Sequence, residues 1–319
     1  MPQVPQRRWG RFGCPHCGQT FTTAALIAWV ARRLSRRDFE VFRFGTAISA
    51  AHYSHNVDVD TEAVLAEFDR SSRRDAVSSD PTVRVERDER STLFIGEDWS
   101  AVLWTDLDES NADAEITRLG GRLREIPGHV EWKLYSHDCP ADLPKRLEAA
   151  GLVPDEEEAL VVAEVADVSI ETDADVRVAT THELVDVFVA LTERAFGRGH
   201  AGGVGRELKR ALEQHEPSML AVICFVDGEP ASAGRIDFVE GSPFAGLYGG
   251  ATLSEYRGRG LYRATVAKRA ALARERGYRY LQVDALPTSR PILERTGFVQ
   301  LTTTTPYLVS RDPGASSSG

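Results

Sequence analysis

Lysine is nearly missing from this chain: four residues, against 34 arginines. That bias fits a GC-rich genome and says nothing about activity. Net basic charge is missing as well, since 38 Lys and Arg face 48 Asp and Glu, a formal −10. Residues 1–56 hold eight Arg against Asp38 and Glu40, a local +6, which leaves −16 on the remainder. So acidic a body argues against nucleic acid as a partner, because the phosphate backbone selects for basic surface. Cysteine is scarce: four in 319 residues do not make a disulfide framework. No apolar run approaches the length of a membrane span. Ala24 to Ala31 comes nearest, and Arg32, Arg33, Arg36 and Arg37 flank it on the wrong side for a signal peptide. The expectation is a soluble cytoplasmic protein, monomer or homodimer, with no nucleic-acid or membrane partner. Apolar residues make up 42%, and the length allows two domains.

What is present is a turn rich in Arg and Gly. The run Ala245 to Thr252 reads as a strand and Ala264 to Arg276 as a helix. Between them stand Leu253-Ser254-Glu255-Tyr256-Arg257-Gly258-Arg259-Gly260-Leu261-Tyr262-Arg263. The first N–H groups of a helix lack intrahelical acceptors, and the macrodipole adds partial positive charge there. Gly258 and Gly260 let a ligand approach the backbone, and Arg257 and Arg259 add charge. The pattern is an anion site.

This turn resembles the pyrophosphate loop of the GNAT superfamily of acyl-CoA N-acyltransferases, Gln/Arg-x-x-Gly-x-Gly/Ala. Arg257 and Gly260 fit the first and fourth positions, and Tyr262 departs where Gly or Ala is usual. The following order agrees with the family too: a helix ending at Gly277, a strand from Tyr278 to Ala285, and a short helix from Thr288 to Thr296. Then come Gly297-Phe298 and two β-rich runs, Val299 to Thr303 and Pro306 to Val309. Upstream, Met219 to Val226 and Ala231 to Val239 flank Asp227-Gly228 as a hairpin, and Leu184 to Phe196 reads as a helix. The resemblance implies an α/β (α+β) domain over residues 175–310 that binds acetyl-CoA as co-substrate. Its CoA-contacting residues would be Thr252, Leu253, Arg257, Gly258, Arg259, Gly260, Leu261, Tyr262 and Arg263.

The stretch Leu147 to Val153 recurs as Leu293 to Val299, a shift of 146 residues with four of seven positions identical. Around the first copy, a strand (Ser100 to Leu107), a helix (Asn111 to Ile126), a strand (His129 to Tyr135), a short helix (Pro140 to Ala150) and a final strand (Ala159 to Val165) follow the same order. Residues 57–166 therefore read as a second, degenerate GNAT-like lobe. Each lobe is expected to be a twisted mixed sheet flanked by helices, and residues 167–174 would link them. The first lobe's loop carries Asp106, Asp108, Glu109 and Asp113 with neither Gly nor Arg, which repels a pyrophosphate and suits a plain helix N-terminus.

Cys14-Pro15-His16-Cys17 admits half a zinc site or a redox dithiol. A second ligand pair for zinc is missing, since Cys139 and Cys224 are isolated, and 56 residues cannot supply a thioredoxin-like sheet. Residues 1–56 read best as a poorly ordered basic arm, and residues 311–319 as a disordered tail. No metal site is expected.

In the family, a backbone N–H at the end of the fourth strand polarises the thioester carbonyl, here from Thr252 or Leu253. The family's glutamate base is missing between Ala245 and Thr252, and Leu293 stands where its tyrosine acid would be. Asp284 and Asp237 are the candidate bases, and Tyr262 or Tyr307 the candidate acid, Tyr307 being preferred. His200 reads as solvent-exposed. The resulting expectation is an acetyl-CoA-dependent N-acetyltransferase for a small amine or a peptide N-terminus. A non-catalytic acyl-CoA sensor is the alternative.

Overall fold

Asp227 and Gly228 take φ of 53° and 84°, the geometry a two-residue hairpin needs. They join β8 (Met219–Val226) to β9 (Glu229–Phe238), which pair antiparallel along their whole lengths. This is the computed structural model of the chain, and it describes residues 60–78, 80–197 and 202–309. The expectations for the N-terminal arm with Cys14 and Cys17, for His200 and for the C-terminal tail lie outside those residues.

The first half runs α1 (Thr61–Phe68), a π-helical turn (Asp69–Arg74), β1 (Arg84–Arg87), β2 (Ser91–Ile95), β3 (Trp99–Thr105), α2 (Ala112–Glu125), β4 (His129–Tyr135), α3 (Leu143–Ala149), β5 (Leu152–Pro154) and β6 (Glu158–Glu164). The second runs β7 (Asp175–Val178), α4 (His182–Phe196), α5 (Gly202–Ala211), β8, β9, β10 (Phe244–Thr252), α6 (Leu261–Glu275), β11 (Tyr280–Ala285), α7 (Arg290–Glu294) and β12 (Val299–Val309).

The expectation of a separate sheet in each lobe is corrected. All twelve strands of the described residues form one sheet, in the order β1-β2-β3-β4-β12-β6-β11-β10-β9-β8-β7, with β5 also on β12. The final strands are exchanged. By the 146-residue shift, the counterpart of β6 is the last part of β12. Yet β6 pairs with β11 of the second half, while Thr304–Leu308 of β12 pairs with β4 of the first. The two β-rich runs expected at the C-terminus are one strand, which absorbs Pro306 and carries an irregularity between Gln300 and Thr302. Six elements had no counterpart in the sequence reading. These are the short strands β1, β2, β5 and β7 and the helices α1 and α5, the last beginning in glycines that weaken a helical pattern.

Alternation along the strands assigns two faces. On one, Leu281, Val283 and Ala285 meet Val266, Ala270 and Ala273 of α6, while Val130, Trp132 and Leu134 meet Leu119 and Leu123 of α2. Arg269 is buried on this face without a carboxylate partner among the described residues; Thr265 O, Thr265 Oγ1 and Arg235 O accept its N–H groups. Gly234 makes room, since a Cβ there would stand 2.8 Å from its Cζ. On the other face, Phe188 and Leu191 of α4 and Leu208 of α5 cover Ala221 and Ile223, while Val64 and Phe68 of α1 cover Leu160, Val162 and Phe244. Arg73 fastens the π-helical turn to the sheet through Asp138 (2.7 and 2.8 Å) and Leu103 O (3.0 Å).

Candidate active site

Strands β10 and β11 run parallel but pair only where Phe244–Gly246 faces Tyr280–Gln282. Beyond that, β11 continues on β6 and β10 continues on β9, so a gap opens in the middle of the sheet. A bulge between Tyr248 and Ala251, with Gly249 at φ 60°, widens it. The Leu253 N–H donates to Ala231 O at 3.0 Å, and the Leu253 side chain is buried against α4. Leu253 is therefore unavailable to polarise a carbonyl, which corrects that expectation. Antiparallel bonding alternates, so the preceding Thr252 N–H points the opposite way, to the open edge.

The strand leads through a 3-10 turn, Ser254–Tyr256, into Arg257, Gly258 and Gly260. Gly258 and Gly260 take φ of 76° and 77°, and nothing lies within 4 Å of where their Cβ atoms would be. Gly260 is the N-cap of α6 and offers no side chain to its first amides. Ala264 N–H is the first to close back, onto Gly260 O at 3.0 Å. The amides of Leu261, Tyr262 and Arg263 thus have no acceptor within the helix, at a turn whose glycines face open space. Arg257, Arg259 and Arg263 are exposed around it, Arg257 bracing Thr252 O at 3.3 Å and Arg259 lying 5.8 Å from the Tyr256 ring centre.

On the α4–α5 face, the gap is floored by polar side chains. Asp237, Gly246 and Gln282 lie in register on three neighbouring strands. The Tyr248 ring folds over Gly246, where a Cβ would stand 2.5 Å from its Cε2. Gln282 Nε2 donates to the Tyr248 hydroxyl at 2.6 Å, and Arg235 lies 5.1 Å from the ring centre. Burial, reinforced by Asp284, pushes the Tyr248 phenol up to about 12. Asp284 Oδ2 accepts from Lys133 Nζ, which reaches over from β4 in the first half. Burial works against the Lys133 charge, but Asp284, Glu131 and Glu158 together hold its proton affinity well above the ordinary value. Arg235 Nε and Asp237 Oδ1 are 3.2 Å apart but not aligned for a hydrogen bond. Burial raises the Asp237 carboxyl, against the opposing pull of Arg235.

A family model described as the acetyltransferase (GNAT) family matches residues 185–298. Residues 185–298 are a GNAT acetyltransferase domain. Known structures agree on the fold. A GCN5-related N-acetyltransferase from Kribbella flavida is similar at 16% identity and a TM-score of 0.56, covering 80% of this chain and 95% of that one. A functionally unknown conserved protein from Staphylococcus epidermidis is similar at 13% and 0.52, covering 75% and 96%. A glucosamine N-acetyltransferase region of a fungal multi-domain GH3 beta-N-acetylglucosaminidase is similar at 12% and 0.53, covering 78% of this chain and 37% of that one. No curated protein matches the sequence. GNAT proteins are acyltransferases and typically use acetyl-CoA, so acyl transfer is the general chemistry the domain supports.

Within the GNAT domain, the structure brings Thr252, Arg257, Gly258, Arg259, Gly260, Leu261, Tyr262 and Arg263 to one end of the gap, and Asp237 and Asp284 to its floor. Leu261 is buried and anchors the helix start. Tyr262 explains its own departure from the family pattern. Its ring lies against Gly250 of β10, where a Cβ would be 2.6 Å from Cε2, so a glycine on the strand compensates for the tyrosine on the helix. Leu293, in the family's acid position, is core.

Tyr307 is a correction. It pairs with Trp132 and packs in the core under α2 and α3, on the face opposite Lys133 and Asp284. It cannot act with Asp284. Tyr248, Gln282, Lys133 and Arg235 were missed as site residues. Gln282 and Tyr248 were accessible by two-residue alternation from Asp284 and Gly246. Lys133 had only its rarity as a signal.

Proposed function

We propose that this chain is an acetyl-CoA-dependent N-acetyltransferase for a small amine. The open edge of β10, ending beside an unobstructed Arg/Gly turn, is the observation that carries the reading. The pyrophosphate would lie on the amides of residues 261–263 and the pantetheine along β10, with the thioester carbonyl accepting from Thr252 N–H. Asp284 keeps Oδ1 free while Lys133 holds Oδ2, so it can take a proton from the acceptor ammonium. The freed amine attacks the carbonyl carbon, the C–N bond forms, the C–S bond breaks, and the second proton that the nitrogen must lose replaces the one Tyr248 gives to the leaving group. The Tyr248 hydroxyl accepts from Gln282 and retains its own proton, which it can give to the departing thiolate. The floor of the gap is buried, which favours a small acceptor over a peptide.

Release of free CoA from acetyl-CoA across a panel of amines tests the reading, alongside Gly260→Asp. That change puts a carboxylate where phosphate would sit. CoA affinity should fall at least tenfold, about 1.4 kcal/mol or more. Unchanged calorimetric binding by a folded Gly260→Asp protein would show that the turn is not the CoA site.

A further inference from the structure

The floor of the gap holds more acceptor atoms than acetyl transfer to a simple amine requires. Among the described residues, Asp284 Oδ1, Gln282 Oε1 and Asp237 Oδ1 are buried and have no hydrogen-bond partner. Asp284 and Gln282 are each more than nine-tenths buried, with 8% and 7% exposure. Native proteins rarely leave such oxygens unpaired, because each loses its water without compensation. Arg235 Nε is the orphan donor beside them. Glu207, between Arg206 and Arg210 on α5, is within electrostatic reach of Arg235 and Asp237, and of Asp80 and Asp98 from the first half. Burial raises its carboxyl, Arg235 opposes, and the three acids add to the rise.

The charges fall into two groups. At one end, Asp284 and Glu131 face Lys133. Glu131 also takes hydrogen bonds from Trp99 Nε1 and His129 Nε2. At the other, Asp237 and Glu207 face Arg235. The Lys133 end has Asp284 and Glu131, with Glu158 also in electrostatic reach, and the Arg235 end has two carboxylates, so acids outnumber the cation at each. At the rim, Arg206 and Arg210 are already answered by Asp80, Glu97 and Asp98. The ends are separated by the Tyr248 ring, and Asp237 and Gln282 sit two strands apart, roughly 10 Å between Cα atoms.

Resting on the acetyltransferase reading, we propose that the acceptor is a diamine. Its reactive nitrogen is held by Asp284 Oδ1 and Gln282 Oε1, and its second, cationic nitrogen by Asp237 and Glu207. An ammonium brings three donors to orphaned acceptors and one positive charge to each acid-rich end. The apolar carbons between the nitrogens lie along the Tyr248 ring. Arg235 does not reverse this preference, because two carboxylates flank it.

The test compares kcat/KM for 1,4-diaminobutane, butylamine and 4-aminobutanoate with saturating acetyl-CoA. The diamine should exceed butylamine at least tenfold, the scale of one hydrogen-bonded charge, and 4-aminobutanoate should be poorest. Asp237→Asn and Glu207→Gln should act mainly on the diamine's KM and shrink its advantage over butylamine to about threefold or less. The thermal shift produced by 1,4-diaminobutane without acetyl-CoA gives a second readout and should be lost in Asp237→Asn. Equal kcat/KM for diamine and monoamine, or a preference for 4-aminobutanoate, would overturn the subsite while leaving acetyl transfer intact. A diamine-specific, Asp237-dependent thermal shift with no turnover of any amine would instead keep the subsite and refute the acetyltransferase. Neither turnover nor a thermal shift with any of the three compounds would overturn the proposal.

Discussion

Lys133 and Asp284 are 151 residues apart in sequence and share a proton-bearing contact across the two halves of the sheet. Both side chains are buried, at 15% and 8% exposure. Removing one partner of such a pair leaves the other charge uncompensated, at a cost of about 3–5 kcal/mol, whereas replacing both by apolar groups is often neutral. Lys133→Met should therefore lower unfolding free energy in urea by about that amount. Lys133→Met combined with Asp284→Leu should recover most of it and still show no turnover, because the base is gone. A stable, active double variant would remove Asp284 from the mechanism. Asp237 gives the opposite signature. Burial raises its carboxyl in the folded protein, so its contribution to stability is fully present below its unfolded pKa and is lost as pH rises through the folded one. Asp237→Asn should be at least as stable as the parent at pH 7 and lose its advantage at acid pH; a gain of about 1 kcal/mol would appear as roughly 2–4 °C in melting temperature. A lower melting temperature for Asp237→Asn at pH 7 would show that the contact with Arg235 Nε at 3.2 Å outweighs the cost of burial. Asp284 was legible as a cleft residue because Leu281, Val283 and Ala285 fix the core face of its strand. Its lysine partner was not, since no local pattern joins β4 to β11.

The exchanged strands govern how the elements depend on one another. Thr304–Leu308 of β12 completes the first half by pairing with β4, and β6 completes the second by pairing with β11. Residues 175–309 alone would leave both edges of their own final strands bare, with Leu281 and Val283 losing the cover of Val161 and Ala163. Unpaired apolar edges aggregate. The fragment 175–309 should be insoluble or unfolded by circular dichroism, and residues 57–166 supplied in the same cell should rescue it. A soluble monomeric fragment with full CoA affinity would show that the exchange is dispensable. The sequence made both final strands visible as elements, and the 146-residue repeat made them equivalent. Equivalence is also why their pairing was illegible: two similar strands fit two similar edges, and alternation does not say which takes which. Helix α5 was hidden for another reason. It begins Gly202-Gly203-Val204-Gly205, and only Leu208 and Ala211 behind those glycines carry the packing signal.

At the scale of the whole molecule, the two halves are unequal partners in one site. The loop that opens α2 has spent its amides on its own side chains. Asp108 Oδ1 accepts from the N–H groups of Ser110 (2.7 Å) and Asn111 (3.0 Å), and Asn111 Oδ1 accepts from that of Asp108 at 2.9 Å. Asp113 adds negative charge and is engaged by Arg146 at 2.9 Å. The amides of Asp108, Ser110 and Asn111 precede the helix; of the first amides of α2 itself, the counterparts of residues 261–263, that of Ala112 is taken by Asp108 O at 3.1 Å and no side chain caps the others. A hollow of about 430 Å³ does exist in the first half, between β1, β2 and α2. Its charges answer one another, Arg122 with Glu86 at 2.9 Å and Arg118 with Asp88 at 2.9 Å, so it offers an anion no free partner. What the first half contributes is a wall. Lys133 enters the floor of the gap, and Asp98 and Asp80 bridge to Arg206 (2.7 Å) and Arg210 (3.0 Å) of α5 above it. These rim bridges are partly exposed and worth little individually; together they tie α5 to the first half. One CoA should therefore bind per chain, with a single transition in calorimetry that disappears in Gly260→Asp. Asp108→Gly combined with Asp113→Arg should not create a second, because Asn111 would still hold the N-cap position that the left-handed Gly260 holds in the second half. A stoichiometry of two in the parent protein, with half retained after Gly260→Asp, would make the first half a cofactor-binding unit in its own right.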